Sequence, residues 1–331
     1  METVHWMRAV KAWVYDTYGG PEVLRFAEEV PEPHVAADEV LIRTAATSFN
    51  PVDAKIRQGS RLDTLPLKFP HIPGVDVSGV VTKIGDEVSW LAVGQRVYAY
   101  LNAQDDGGAA EYVVTKAVLV AAAPQTISLQ DAAALPCVAL TAWQGLFELG
   151  TLQAGQRILI IGAGGGVGHI AVQFAKWKDA FVIGTSSKTP DDDLLRLGID
   201  QLINYRSERV ADALGEKVDV ILNAATMSSE EINAMLVLLK PNGTLVSTTG
   251  AADKAYAVES GVRSVGMVTR RDAQGLQRLA ELVDAGSLRP LIAARVPFGE
   301  LASVHEQADP SRGFTRSGAR GKTVIVVDEA L

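Results

Sequence analysis

The sequence predicts an α/β protein, a mostly β half followed by a doubly wound parallel sheet, and three observations carry that expectation. Up to about Pro124 the chain runs in short β-like segments, such as 40–43 and 75–82, broken by turn residues including Gly19-Gly20-Pro21. From about Arg157 apolar strands alternate with helical patterns, the texture that βαβ units require. The first of those strands ends in a run of glycines that opens directly into an amphipathic helix.

Size and composition agree with this. The 331 residues correspond to about two domains at roughly 150 residues each. Hydrophobic residues make up 47% and charged residues 21%, ordinary globular values that exclude wholesale disorder and a fibrous repeat. Lys plus Arg is 31 against 39 for Asp plus Glu, a net charge of −8 that attracts neither nucleic acid nor an anionic membrane. The single cysteine, Cys137, excludes an internal disulfide framework and a multi-cysteine metal site, and fits a reducing compartment. No apolar stretch approaches the roughly 20 residues that cross a bilayer, and the residues before Met7 have no apolar core of a secretory signal. The expected location is cytoplasmic.

In the second half, strands are expected at 157–161, 180–185, 201–204, 218–222, 244–247 and 264–268. The helix after the first strand carries Val167, Ile170, Ala171, Phe174 and Ala175, a spacing that aims one stripe at the sheet. A further helix is expected at 276–285, and the strand-like 323–327 suggests a tail that returns to the first domain.

The glycine turn runs Ile161-Gly162-Ala163-Gly164-Gly165-Gly166-Val167-Gly168. Glycines here permit the tight turn, let backbone N–H groups approach a pyrophosphate, and bring helix close to strand at Gly168. The phosphate then lies at the helix's positive end. Ala163 departs from a strict G-x-G-x-x-G, although Gly162-x-x-Gly165-x-x-Gly168 is a close variant. About twenty residues further on, an NAD site would place an acid on the ribose hydroxyls. Here the second strand ends in Gly184-Thr185-Ser186-Ser187-Lys188, two hydroxyls and an ammonium without a carboxylate, which suits a 2′-phosphate and so NADP(H). The aspartates at 191–193 are read as the capped start of a helix at 191–197.

Further motifs are Asn50-Pro51-Val52-Asp53, Pro73-Gly74-Val75-Asp76-Val77-Ser78-Gly79, Val93-Gly94-Gln95-Arg96-Val97, Gly108-Ala109-Ala110-Glu111-Tyr112-Val113 and Leu140-Thr141-Ala142-Trp143. With the glycine turn they resemble the medium-chain dehydrogenase/reductase superfamily, in its zinc-free quinone oxidoreductase (zeta-crystallin-like) and enone reductase branch. The resemblance implies a GroES-like β domain at 7–124, completed by 270–331, and a Rossmann domain at 125–269 that binds NADP(H). An active-site cleft is then expected at their junction, shaped by the loops 58–68 and 270–274. No zinc site is expected: Thr47-Ser48-Phe49-Asn50 stands where the zinc-dependent relatives carry their first ligand, and His5, His34 and His305 sit in polar surroundings as surface residues.

The implied activity is hydride transfer to a quinone or to the conjugated C=C of an α,β-unsaturated ketone or aldehyde, which leaves negative charge on the carbonyl oxygen. Asn50 resembles a residue that positions the nicotinamide, or else is a turn residue before Pro51. Lys55 either holds the developing enolate, or is an ordinary surface lysine, or is one paired with Asp53 or Asp76; many quinone reductases of this branch have tyrosine there, and plant alkenal reductases lysine. Thr141 and Val268 are expected on the nicotinamide side. Gly162, Gly164, Gly165, Gly166, Val167 and Gly168 are expected on the pyrophosphate, and Ser186, Ser187, Lys188 and Tyr205 around the adenosine phosphate. Arg320, in Arg320-Gly321-Lys322, either reaches the phosphates or belongs to a solvated charge run. The alternatives are an NAD(P)-dependent alcohol dehydrogenase and a non-catalytic NADPH-binding, crystallin-like protein. A homodimer is expected by edge-to-edge pairing through 244–247.

Overall fold

The computed structural model describes residues 9–60, 64–188, 191–308 and 320–331. Strands β1 (Ala9–Val14) and β2 (Arg25–Pro31) form an antiparallel ribbon. A larger sheet is built from β3 (Glu39–Ser48), β4 (Asp76–Ile84), β5 (Arg96–Tyr100), β6 (Tyr112–Lys116) and β7 (Val120–Ala122). A second sheet contains β8 (Arg157–Ile161), β9 (Phe181–Ser186), β10 (Gln201–Asn204), β11 (Val218–Asn223), β12 (Leu239–Ser247) and β13 (Arg263–Gly266). Finally β14 (Ile292–Pro297) and β15 (Lys322–Val326) return to the first sheet, whose order is β14-β15-β3-β4-β5-β7 with β6 on β3. The expected return of the tail is therefore a strand pairing, with Val324 opposite Ser48.

The second sheet is wholly parallel, in the order β10-β9-β8-β11-β12-β13. Numbered from β8, that is the 3-2-1-4-5-6 order of a dinucleotide-binding sheet, and it crosses over beside β8, where the glycine turn begins. Its strands read as continuous apolar runs because both faces are covered. Ile158, Ile160, Val182, Val220, Leu222 and Val246 pack into one core, while the alternate residues Leu159, Ile183, Ile221 and Leu245 pack into the other. On the first core lies the helix Gly168–Trp177, with Ile170, Ala171, Phe174 and Ala175 inward, as its spacing predicts.

Three expectations are corrected. The segment 244–247 is no edge: β12 lies between β11 and β13, because a sixth strand covers it, and β13 is the edge on that side. That last strand ends at Gly266, short of the expected 268. His305 is not a surface residue either. On the helix Leu301–Gln307 it is buried with Leu301 and Val304, an i, i+3, i+4 stripe hidden by its polar neighbours Glu306 and Gln307. Among the described residues no helix is long and apolar enough to cross a membrane.

Arg57 donates from Nη1 to His305 Nδ1 at 2.6 Å, and the imidazole stands edge-on to Phe49 with centroids 5.0 Å apart. Burial, helped by the Arg57 charge, depresses the His305 pKa to about 3; burial likewise takes His71 and His169 to about 4. These rings stay neutral in the fold but gain a proton in the unfolded chain below its value of 6.5, so their stabilisation is lost as pH falls from 6.5 toward 4. Asp53 acts oppositely: its pKa is raised to about 7, so the fold holds a proton there that the unfolded chain has released. His305→Gln keeps an acceptor for Arg57 and isolates one histidine. Urea unfolding between pH 6 and 4.5 is expected to show the wild-type slope reduced in the variant by up to about 1.4 kcal/mol per pH unit; equal slopes would refute the assignment.

Candidate active site

The glycine turn begins where β8 ends. Gly162 has φ +79°, a left-handed conformation, and a Cβ on Gly168 would overlap the Gly162 carbonyl oxygen. The turn is anchored to β9: Ala163 N donates to Thr185 O at 3.1 Å and Gly162 N to Thr185 Oγ1 at 2.9 Å. Above Gly164 a Cβ would meet nothing within 4 Å. Among the described residues no protein group accepts from the amides of Gly164 and Gly166. Open space, unclaimed N–H groups and the N-terminal end of Gly168–Trp177 fit a pyrophosphate. His169 locks the base of this helix: Nδ1 bonds Gly165 O at 2.9 Å and Nε2 accepts from Leu291 N at 3.0 Å.

A polar cluster lies across the tail from this turn. Pro51 opens the helix Pro51–Arg57, preset for a first helical position, and Asn50 precedes it. Asn50 Nδ2 donates to Asp76 Oδ2 at 2.8 Å and to Ser48 O at 3.4 Å; its Oδ1 accepts from Lys322 Nζ at 2.6 Å. Lys322, only 3% exposed, also donates to Phe49 O at 2.8 Å and to Asp76 Oδ2 at 3.4 Å. Fully buried Asp76 accepts besides from Ser48 Oγ at 2.7 Å and from Cys137 N at 2.8 Å. Asp53 holds the backbone, accepting from Asn50 N at 2.8 Å and Val75 N at 3.0 Å. Burial raises its pKa to about 7; the Asn50 amide opposes that shift and the Asp76 charge adds to it. Burial, with Asp76 adding, pushes the Cys137 thiol up to about 12, so it stays protonated.

Lys55 or Arg57 was one expected partner of these acids, and the structure pairs Asp76 with Lys322 instead. Lys55 is half-buried on Pro51–Arg57 and makes no ion pair with the described residues. On the same helix, Val52 packs against the apolar cluster of Ile56, Val75 and Cys137. Thr141 is buried, bonding Cys137 O and Thr269 Oγ1, both at 2.6 Å. Val268, next to Thr269, is 76% exposed, so its side chain closes nothing off. Arg271 reaches across from the strand-exit loop, donating to Leu101 O at 3.0 Å and Asn102 Oδ1 at 2.8 Å, with its guanidinium 5.7 Å from the centre of the Tyr100 ring.

At the end of β9, Ser186 is buried, Ser187 half-buried and Lys188 exposed, while Tyr205 N donates to Ser186 O at 3.3 Å and leaves the Tyr205 ring 48% exposed. This strand end does hold a carboxylate, contrary to the sequence reading. Asp191 caps the helix Asp192–Arg196 as expected, accepting from Leu194 N, but it also accepts from Ser186 Oγ at 2.8 Å. Arg320 is ion-paired with Asp191, and its Nη1 lies 3.3 Å from Asp193 Oδ2, so it is not part of a solvated charge run. Residues 189 and 190 lie outside the described residues, as do 61–63 of the loop 58–68 and His5.

Three consecutive tail residues thus touch three parts of one groove. Arg320 binds Asp191, Gly321 N donates to Gly164 O at 2.9 Å, and the Lys322 stem lies where a Cβ on Gly166 would come within 3.1 Å of it. Gly321 has φ +62°, and a Cβ there would overlap the Leu291 carbonyl. The missed residues are Lys322, Cys137, Arg271 and Asp191 as a strand-end acid. The available sign for Lys322 was a charged residue at the head of the apolar strand Thr323-Val324-Ile325-Val326. Among the described residues no three His, Cys, Asp or Glu side chains are gathered to hold a metal ion.

Residues 36–125 match a family described as alcohol dehydrogenase GroES-like domain, and 197–325 one described as zinc-binding dehydrogenase. The chain is 32% identical over 326 residues to an NADPH-dependent alkenal/one oxidoreductase, chloroplastic, of Arabidopsis thaliana, covering 96% of this chain and 80% of that protein. It is 33% identical over 324 residues to a 2-methylene-furan-3-one reductase of Solanum lycopersicum, covering 96% and 79%. The solved quinone oxidoreductase from Coxiella burnetii superposes with a TM-score of 0.85 at 29% identity, covering 97% of this chain and all of that one. With such identity along nearly its whole length, and with the strand order and glycine turn to match, the chain belongs to the medium-chain dehydrogenase/reductase superfamily, beside its quinone and alkenal oxidoreductases.

Proposed function

We propose that this chain is an NADPH-dependent reductase that delivers hydride to the conjugated C=C of an α,β-unsaturated ketone or aldehyde, or to a quinone. The observation that carries the reading is the junction at which one tail segment ties the glycine turn to the Asn50 cluster. The activities named for the relatives support the acceptor and cofactor classes. The bound cofactor supplies the hydride; the protein supplies orientation and a place for the oxygen's charge.

Donor by donor, the cluster narrows the choice of group for that charge. The Asn50 amide hydrogens go to Asp76 and Ser48, and the Lys322 ammonium is met by Phe49, Asn50 and Asp76. Cys137 remains a thiol, a weak donor. Lys55, with no ion-pair partner among the described residues, is the cation we assign to the substrate oxygen in preference to Arg271, which is held by Leu101 O and Asn102 Oδ1, and solvent protonates the carbon. Asn50 then acts through its place in the cluster, holding the floor of the cleft beneath the nicotinamide. Gly162, Gly164, Gly165, Gly166, Val167 and Gly168 form the pyrophosphate cradle, Ser186, Ser187, Lys188 and Tyr205 the adenosine subsite, and Thr141 a wall on the nicotinamide side.

We also retain the homodimer and a reducing, cytoplasmic setting, the latter supported by a sole cysteine buried as a thiol. The pairing edge becomes β13, flanked by exposed Val268. Sedimentation as a monomer at micromolar concentration would remove the dimer.

With a chelator present, NADPH absorbance should fall with an ortho-quinone, a linear enone or a 2-alkenal and stay constant with a saturated ketone. NADPH binding without turnover of any acceptor would point to a binding protein instead. Lys55→Met is expected to lower kcat/KM for conjugated acceptors roughly 10- to 100-fold, with NADPH affinity unchanged; undiminished turnover would remove its role. Lys322→Met leaves Asp76 buried without its cation and is expected to cost about 3–5 kcal/mol in urea unfolding. A loss below about 1 kcal/mol would show that the pair is dispensable.

A further inference from the structure

The carboxylate of Asp191 lies at the carboxyl end of β9, hydrogen-bonded to Ser186, beside the position where the adenosine ribose of a dinucleotide meets such a sheet. A free acid there binds the ribose 2′- and 3′-hydroxyls of NADH and repels the 2′-phosphate of NADPH. In this chain the acid is not free. Arg320, from the returning tail, grips both Asp191 oxygens with its two terminal nitrogens. Its Nη1 also reaches Asp193 Oδ2 at 3.3 Å, while Asp193 is shared with Arg196 at 2.9 Å. Leu194 N and Ser186 Oγ take further lone pairs of Asp191, which is fully buried.

We propose that Arg320, through its ion pair with Asp191, sets the preference of this chain for NADPH over NADH. The inference rests on the cofactor reading above and names the residue that enforces it. The guanidinium cancels the charge that would repel a 2′-phosphate by meeting both Asp191 oxygens. Exposed Lys188 adds a second cation on the same rim. Position is fixed by the chain itself: Gly321 N is bonded to Gly164 O, so Arg320 is held one residue from the glycine turn. The strand end thus contains an acid, as an NAD site would, whose effect is reversed by a residue 129 positions away.

The test is direct binding of NADPH and of NADH, read by fluorescence of the acceptor-free protein, so that turnover plays no part. Wild type should bind NADPH more tightly. In Arg320→Met the NADPH-over-NADH affinity ratio should fall roughly tenfold or more, because Asp191 is uncovered. Adding Asp191→Asn to that variant should restore most of the ratio, since the acid is gone and asparagine caps a helix as well as aspartate. Asp191→Asn alone should leave the ratio at or above wild type, and this variant answers the question even where Arg320→Met fails to fold. An unchanged ratio in Arg320→Met overturns the proposal. So does a double variant as low as the single one, which would make Arg320 a plain phosphate ligand, and so does a fall in Asp191→Asn alone. Failure of the cofactor reading is separate and is seen first, as a wild-type protein that binds NADH at least as tightly as NADPH.

Discussion

An ammonium group taken out of water must have each of its three hydrogens met by oxygen, or its burial costs several kcal/mol. Lys322 meets that demand with Phe49 O, Asn50 Oδ1 and Asp76 Oδ2, and each acceptor is thereby placed. The rest of the candidate site depends on this contact. Asn50 can turn its amide only one way, nitrogen to Asp76 and oxygen to the lysine. Asp76 remains able to hold the start of the helix Pro136–Trp143 through Cys137 N, and with it Thr141. The ammonium also ties β15 to the first helix of the β-rich half, joining residues 272 positions apart in the sequence.

The same tail segment meets a second acid, Asp191, at the end of β9. Asp191 is needed as a helix cap and as a partner for Ser186, yet its charge would disfavour a phosphate. Arg320 meets the carboxylate with two prongs, geometry that lysine lacks. Arg320 and Lys322 can serve acids on opposite sides only because Gly321 between them takes a left-handed turn that no side chain would permit against Leu291.

What was legible in the sequence was what is local. The strand, glycine turn and helix from Arg157 to Trp177 are contiguous, and each has its own periodicity, so the turn and the inward face of the helix are read directly. Asp191 was legible as a cap because it opens a run of aspartates at the head of a helical pattern. Its ion pair with Arg320 was not, and neither was the Lys322–Asn50 bond, whose partners are 272 residues apart. His305 misled for a related reason: charge and polarity around it describe the exposed side of a short helix, whereas its burial depends on Arg57 and Phe49 from another part of the chain. The supposed edge at 244–247 failed because strand order is a property of the assembled sheet, and the apolar character that suggested an edge is what a covered parallel strand requires.

The fully engaged cluster also bears on how an oxygen's developing charge is met. A donor already bonded to a carboxylate in a buried site can be redirected to substrate only by leaving that carboxylate unpaired, at a cost comparable with the stabilisation it would bring. Lys322 and Asn50 are in that position, and they are better suited to hold a rigid floor than to follow a reaction. Lys55 is not: half-buried on Pro51–Arg57, it makes no ion pair with the described residues, and it is the group proposed to meet the oxygen. On the proposed role of Lys55, fixed charges hold the cluster while a separate cation meets the oxygen, so hydride transfer is favoured without giving up the ion pairs that hold the cluster together.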